Sequence, residues 1–327
     1  MTAVGDRAGM TTTSSAHPDT VALEADLQEG FWADPPTLPA RWLYDEAGSR
    51  LFDRITRLPE YYPTRSEARI LRDRAGEIVD GSRTVVELGA GTAEKTRVLL
   101  DALVAGGGGA LYVPVDISTE MLHETANTLA GEYPDLRVRP VVADITDLEP
   151  PLPGDPGTRL VLFLGGTIGN LTEDERDAFL RMLRRVAGPG DRIALGFDVR
   201  KSPERLVAAY DDAAGVTAEF DLNMLDVIAR TVECTGLDRR DFRHDAVWNA
   251  AESRIEMWLR AVRDVRAWFP TLGREFTLAA GEGIRTEIAR KFSGDELMAE
   301  LGRIGFRDQV VWTDDAGDFG MVVAQVP

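Results

Sequence analysis

At 327 residues the chain can bury a full core as one large or two intermediate domains, and no apolar run reaches the roughly 18 residues of a membrane span. Its formal net charge of −18 opposes a polyanionic partner, because binding DNA or RNA depends on neutralising phosphates with a basic face. The single Cys234 excludes an intrachain disulfide and fits a reducing cytoplasm, and His17, His123 and His244 stand in no Cys/His spacing that would hold zinc.

Residues 1–20, rich in Thr, Ser, Ala and Gly, lack the charged start and apolar centre of a secretory signal and are expected to form a disordered arm. Leu58 to Arg65 is a rigid loop with two adjacent aromatics, Tyr61 and Tyr62; one should bury as an anchor while the other points into a site. A β-branched run from Arg83 then ends at Glu87, a turn carries Gly89 and Gly91, and Lys95 to Leu100 opens a helix. That is the first βα turn of a doubly wound α/β sheet, where ligands sit over the carboxyl ends of the strands. The two glycines let the backbone turn tightly and approach a ligand closely. A dinucleotide fingerprint needs a third glycine where Glu94 stands, so a pyrophosphate on the helix N-terminus is not expected. Leu111 to Asp116 reads as the second strand, and its terminal acid stands where ribose hydroxyls are bound in nucleoside-binding sheets. Arg137 to Asp144 reads as the third strand, with Asp144 able to accept from an adenine amino group. For each acid alone, a solvated strand end or helix cap is the alternative.

Leu160 to Leu164 is an apolar run of the kind found in a buried parallel strand, and Gly165 to Thr172 follows it. Three glycines there permit close backbone approach, and Asn170 offers donor and acceptor to a polar group or, alternatively, caps the next helix. That helix runs Glu173 to Val186 behind the capping signal at Thr172, and Arg192 to Phe197 is the next strand. A long helix is expected over Ser202 to Thr231, with Tyr210 and Thr217 two turns apart on one face. Glu252 to Arg260 and Arg274 to Leu278 read as antiparallel strands. Arg285 to Phe292 alternates, placing Thr286 and Ile288 on one face and Glu287 and Ala289 on the other. Glu287 could accept from a substrate N–H or pair with Arg285 or Lys291. Gly294 to Gly305 reads as a helix; Asp308 to Trp312 and Gly320 to Gln325 read as strands completing the first sheet. The expected division is residues 66–200 and 291–327 as one domain, with 21–65 and the insertion 201–290 as a second α+β domain.

The Glu-Leu-Gly-Ala-Gly-Thr turn resembles the S-adenosylmethionine site of class I methyltransferases, Rossmann-like sheets in which the loop wraps the methionine end of a cationic cofactor. Arg41 to Asp45, Gly48-Ser49, Leu51 to Asp53, Leu58 to Arg65, Glu87 to Thr96, Gly165 to Thr172, Tyr210 to Thr217, Ile255 to Leu259 and Asp314 to Gly320 together make the resemblance closer. They are similar to the histidine-specific Nα-methyltransferases of ergothioneine biosynthesis. The resemblance implies a monomeric cytoplasmic enzyme that trimethylates L-histidine to hercynine with S-adenosylmethionine, and no nucleic-acid or membrane partner and no metal. It implies that Tyr61 and Asn170, as catalytic residues, hold the amino acid together with Tyr210. Tyr44, Phe52, Gly165, Thr167, Thr217 and Met257 would complete the substrate pocket, with Glu287 against the imidazole. Tyr44, Glu87, Gly89, Gly91, Lys95, Asp116, Asp144 and Ile145 would contact the cofactor.

One position departs from the family pattern: Ala289 stands where a serine hydroxyl helps hold the imidazole. Losing one neutral hydrogen bond is worth about 0.5–1.5 kcal/mol. The alternatives are an enzyme making the betaine of another amino acid, such as tryptophan, and a non-catalytic S-adenosylmethionine-binding protein.

Overall fold

The computed structural model describes residues 18–107 and 109–327. Most of the arm expected over residues 1–20 thus lies outside the described residues, and Pro18 already opens helix α1 (Pro18–Gly30). Next come α2 (Glu46–Ile55) and α3 (Pro63–Val79), and then strands and helices alternate: β1 (Thr84–Leu88), α4 (Arg97–Ala105), β2 (Leu111–Asp116) and α5 (Thr119–Glu132). They continue through β3 (Arg137–Val138), β4 (Val141–Val142), β5 (Arg159–Phe163), α6 (Glu173–Val186) and β6 (Arg192–Asp198). After α7 (Pro203–Tyr210) and α8 (Val216–Thr231) the chain turns to β7 (Phe242–Asn249), β8 (Arg254–Ala261), β9 (Val265–Phe269), β10 (Arg274–Leu278) and β11 (Gly283–Arg290). The chain closes with α9 (Gly294–Ile304), β12 (Arg307–Thr313) and β13 (Phe319–Gln325).

The large sheet has the order β12-β13-β6-β5-β1-β2-β3, with β4 also paired to β2. β1, β2, β5 and β6 run parallel, and β13 and β12 add an antiparallel edge. The order reverses at β1, which lies between β2 and β5, so the crevice of this doubly wound α/β sheet opens above the carboxyl ends of β1 and β5. Both are buried along their whole length. Alternate residues feed opposite layers: Val86 and Val161 pack into one apolar cluster, Val85 and Leu160 into another. A third cluster, including Leu27, Phe31, Phe220, Met257 and Phe269, joins the N-terminal helices to the segment carrying α7 to β11.

Two expected elements are broken. The third strand splits into β3 and β4 around Arg139-Pro140, because Pro140 has no N–H to give the ladder on β2. The helix expected from Ser202 to Thr231 ends at Tyr210 and restarts at Val216. Gly215 adopts a left-handed conformation (φ +71°), and the Asp212 carboxylate caps α8 by accepting from the N–H groups of Val216 (3.0 Å) and Thr217 (2.7 Å). Tyr210 and Thr217 therefore do not share a helix face. The cap at Thr172 does form, as a reciprocal capping box with Glu175. β8 is the centre of a three-stranded sheet with β7 and β11, while β10 pairs only with β9. Among the described residues, no helix is long and apolar enough to cross a membrane.

Candidate active site

Beyond β1 the backbone passes through Gly89 (φ +70°) and Gly91 (φ +50°), both left-handed. A Cβ built at either would meet no protein atom within 4 Å, so the turn borders open space above the sheet. The Gly91 N–H donates to Asp116 Oδ2 (3.2 Å) and the Ser118 N–H to Asp116 Oδ1 (3.0 Å), fixing that acid beside the turn. Glu87 points the other way. Buried at the end of β1, it accepts from Thr96 Oγ1 (2.6 Å) and from the Tyr112 hydroxyl, and burial pushes its pKa up to about 7 against those two bonds. Both of its oxygens are committed to bracing the turn, where the sequence left them free for a cationic ligand. Lys95 pairs with Glu67, a fully buried residue of α3 whose other oxygen accepts from the Gly165 N–H (2.7 Å). Glu67 thereby ties the turn after β1 to the turn after β5. Asp144 lies exposed beyond β4, its Oδ1 accepting from the N–H (2.8 Å) and hydroxyl (2.6 Å) of Thr146, and Ile145 packs half-buried beside it.

After β5, Gly165 (φ +81°) and Gly166 (φ +72°) lead into a 3-10 turn, Thr167–Asn170. The Thr167 hydroxyl donates to the Leu164 carbonyl (3.0 Å). Gly169 is required by close approach: a Cβ there would lie 2.5 Å from the carbonyl oxygen of Arg290 on β11. This packing brings Asn170 Nδ2 to Glu287 Oε1, a hydrogen bond of 2.6 Å. On β11 itself the pairing with β8 slips between Arg285 and Glu287, so Thr286 is the extra residue of a bulge. The bulge alters the simple alternation expected there. Thr286 turns its hydroxyl to Asp221 Oδ1 (2.5 Å), and Glu287 sits opposite Met257 in the register. Burial and the nearby Asp221 carboxylate push Glu287 up to about 7, against the pull of Lys291 and of the Asn170 bond.

Four of the expected aromatic residues form one chain of edge-to-face rings. Tyr44 meets Phe52 at 5.4 Å, Phe52 meets Tyr61 at 6.2 Å, and Tyr61 meets Tyr210 at 6.1 Å. Phe220 of α8 completes it, 5.3 Å from Tyr44 and 5.9 Å from Phe52. Tyr44 stands at the rim, 39% exposed, and Tyr61 is buried. Among the described residues no hydrogen bond engages the hydroxyl of Tyr44 or Tyr61. Burial raises the Tyr61 and Tyr210 hydroxyls well above the ordinary phenol value, and the Glu287 charge adds to both. Thr217 is buried in the first turn of α8 with its N–H on Asp212, and no hydrogen bond among the described residues joins it to Asn170 or Glu287.

The model of a family described as histidine-specific, S-adenosylmethionine-dependent methyltransferases matches residues 23–326. The chain belongs to that family. It is 46% identical over 305 residues to the histidine N-alpha-methyltransferase of Mycolicibacterium smegmatis, covering 93% of this chain and 94% of the relative. The enzyme of the same name from Mycobacterium tuberculosis is 46% identical over 306 residues, covering 93% and 95%. A more distant relative, the L-tryptophan methyltransferase of Psilocybe serbica, is 27% identical over 336 residues, covering 91% of each chain.

This histidine-specific methyltransferase holds two buried polar networks against its aromatic group. At the end of β6, Asp198 accepts from the Tyr62 hydroxyl (2.8 Å), Lys201 Nζ (2.6 Å) and Lys291 Nζ (2.8 Å). Burial works against the Asp198 charge, but the two lysines outweigh it and hold the carboxyl below its ordinary value. Tyr62 is thus anchored through its hydroxyl, while Tyr61, also buried, packs its ring against Phe52 and Tyr210. In the second network His244 lies between Asp221 Oδ2 (2.7 Å from Nδ1) and the Tyr210 carbonyl (2.8 Å from Nε2). Both partners accept, so the ring is suited to the doubly protonated form. Burial pulls its pKa down, and the Asp221 bond and charge more than reverse that. Phe220, Glu67, Asp221, His244, Lys201 and Lys291 carry no local sequence signal that sets them apart. Asp198 does: it is a strand-end acid like Asp116. Among the described residues no group of three or more His, Cys, Asp or Glu is placed to hold a metal ion.

Proposed function

We propose that this protein methylates the α-amino nitrogen of L-histidine three times with S-adenosylmethionine, yielding hercynine, the first step of ergothioneine biosynthesis. The observation that carries the reading is the Asn170–Glu287 pair (2.6 Å), set between the glycine turns of the sheet and the rings of Tyr44, Phe52, Tyr61 and Tyr210. It joins a residue of the methyltransferase sheet to one of the inserted strands, as a site shared by cofactor and amino acid requires.

The residues at the sheet fit the cofactor. Gly89 and Gly91 leave a cradle that any Cβ would begin to fill, Asp116 presents a carboxylate for the ribose hydroxyls, and Asp144 keeps a second oxygen for the adenine amino group. Ile145, Lys95 and Tyr44 would add contacts to the cofactor, and Glu87 shapes the turn from within. When bound, S-adenosylmethionine supplies an electrophilic methyl group on a sulfonium.

On the substrate side, Tyr210 takes the amino acid's carboxylate, Tyr61 and Asn170 orient the amino group, and Glu287 accepts from the imidazole N–H. Phe52 and Met257 line the pocket, with Gly165, Thr167 and Thr217 at its margins. The amine must be held as its neutral form with the lone pair about 3–3.5 Å from its target, in line with the breaking bond. An ordinary α-amino group is mostly protonated at pH 7, and a buried site beside positive charge shifts it toward the neutral form. Reaction ends at three methyl groups because a quaternary nitrogen has no lone pair. Residues 66–200 and 291–327 serve as the cofactor domain, and 21–65 with 201–290 as the substrate domain, in a monomeric cytoplasmic enzyme.

Incubating the protein with S-adenosylmethionine and each common amino acid, and reading product masses, tests this. The expected product is histidine with three added methyl groups. Methylation of tryptophan in preference to histidine would establish the second reading, for which Ala289 is the observation, and no turnover on any amino acid would leave a binding protein.

A further inference from the structure

Lys291 is the last link between the inserted strands and the sheet. Its side chain is 1% exposed, and its ammonium donates both to Asp198 Oδ2 (2.8 Å) and to the Tyr210 hydroxyl oxygen (2.8 Å), lying 4.4 Å from the Tyr210 ring centre. A structural latch does not need this ammonium. The main chain already ties the junction, with the Lys291 N–H on the Ser253 carbonyl (2.8 Å) and the Phe292 N–H on the Asp198 carbonyl (2.9 Å).

These contacts have two consequences. First, two buried ammonium groups, Lys201 and Lys291, contact one carboxylate, that of Asp198, while Asp318 is paired with Arg205 and Glu287, whose charge also reaches Lys291, is bonded to Asn170. Two buried cations on one contacting carboxylate are costly to keep charged, so a further anion beside them is favoured. Second, a phenol has one proton to give, and Lys291 occupies a lone pair of Tyr210 as donor. Among the described residues no acceptor takes the Tyr210 proton. The hydroxyl is therefore set as a donor, and Tyr61, whose ring centre is 6.1 Å from that of Tyr210, borders the space beside it.

We infer that Lys291 is a positioning residue that fixes Tyr210 as a hydrogen-bond donor to the substrate carboxylate and so sets which end of the amino acid enters each end of the pocket. The inference rests on the amino-acid reading above. It adds Lys291 to that reading, as the residue that orders the hydroxyl at the carboxylate end.

The test compares L-histidine with L-histidinamide, which lacks the carboxylate charge, in the wild type, Lys291→Met, Tyr210→Phe and the double variant. Catalytic efficiency and equilibrium binding are read for both compounds. The wild type should prefer histidine at least tenfold, and Lys291→Met should bring that ratio close to one while cofactor affinity stays within twofold. In the Tyr210→Phe background, Lys291→Met should change the ratio by no more than a further twofold, because both act through one hydrogen bond. A merely structural lysine would weaken both compounds equally, or add independently to Tyr210→Phe; either result overturns the inference. Should Lys291→Met fail to fold, Tyr210→Phe decides, and a carboxylate preference that survives loss of the hydroxyl overturns it. A wild type with no preference between the two compounds would instead overturn the amino-acid docking itself.

Discussion

Replacing Glu287 with alanine probes what this pocket recognises. One carboxylate oxygen is taken by Asn170 Nδ2 at 2.6 Å, leaving the other for a ring N–H. A hydrogen bond to an ionised acceptor is worth about 1.5–3 kcal/mol, so Glu287→Ala should lower catalytic efficiency on histidine roughly 10- to 150-fold. A larger apolar ring loses no such bond, and tryptophan should hold its rate or gain from the space vacated beside Met257. Glu287→Gln separates charge from shape, since its carbonyl still accepts from Asn170. The carboxyl of the free protein titrates near pH 7, so KM for histidine should fall as pH rises through that value in the wild type. Any limb that persists in Glu287→Gln belongs to another group, the substrate's own imidazole or amine among them. Stability supplies a second check with a definite sign. A carboxyl whose pKa is raised from 4.5 to about 7 by folding costs nothing below the lower value, and its penalty grows until the upper one. Glu287→Gln should therefore melt increasingly above the wild type between about pH 4.5 and 7, with a constant gap beyond. Steady-state kinetics on histidine and tryptophan, with melting curves across pH, read all of this. If Glu287→Ala treats histidine as the wild type does, the side chain only braces Asn170, and the histidine assignment loses its physical basis.

Other substitutions test the remaining parts of the site. Asp116→Ala removes the acceptor beside the glycine turn and should weaken S-adenosylmethionine at least tenfold, about 1.4 kcal/mol, with the fold intact; unchanged affinity by calorimetry would remove Asp116 from the cofactor site. Asn170→Ala should weaken amino-acid binding strongly and leave cofactor binding near normal, and a collapse of cofactor affinity instead would place Asn170 in the turn's own architecture. Gly169→Ala should have the same selective effect at one remove, because its Cβ would sit 2.5 Å from the Arg290 carbonyl and force the turn off β11; an amino-acid KM equal to the wild type's would show that this packing does not position Asn170. Ala289→Ser restores a hydroxyl near the ring and should tighten histidine by up to about 1.5 kcal/mol, measured as a dissociation constant. An unchanged constant would mean that the hydroxyl does not reach the ring.

What could be read from the sequence were the features encoded by neighbouring residues. β2 and α6 fall on their expected boundaries because a short apolar run ending in an acid and a Thr-x-x-Glu cap are local signals. The break between α7 and α8 was hidden, since both helices keep a helical apolar pattern and only Asp212 and Gly215 mark the interruption. Pro140 likewise sat inside a run that otherwise reads as one strand. Within the site, residues at strand ends and in glycine turns could be found by position. Those that act through long-range pairing could not: Glu67 meets Lys95 and Gly165, and Lys291 meets Tyr210 and Asp198, only once segments far apart in the chain pack together. The Thr286 bulge is of the same kind, because nothing in an alternating strand announces which residue will be left over.

The protonation states of the pocket bear on how the amine loses its proton. Tyr61 and Tyr210 are buried phenols whose pKa lies well above the ordinary value, so neither becomes a phenolate near neutral pH. Tyr61 can then orient an amine lone pair through its hydroxyl without competing for the proton, and Tyr210 stays a donor. Charged groups flank these phenols: Lys291 donates to the Tyr210 hydroxyl and with Lys201 shares Asp198, while Glu287 bonds Asn170 and lies within reach of the Lys291 charge. In the proposed orientation, with its carboxylate toward the lysines, a zwitterionic amino acid would carry its ammonium among the aromatic rings, where desolvation favours loss of the proton to water. The same rings suit the later methyl transfers. Each transfer leaves the nitrogen positively charged; the first two products lose a proton to water before the next transfer, and the third has no N–H left to donate, a cation that aromatic faces accept where a ring of fixed acceptors could not. A site that favours the neutral amine by desolvation, releasing each proton to water, and that receives a quaternary cation by aromatic contact would repeat the transfer without requiring a strong base.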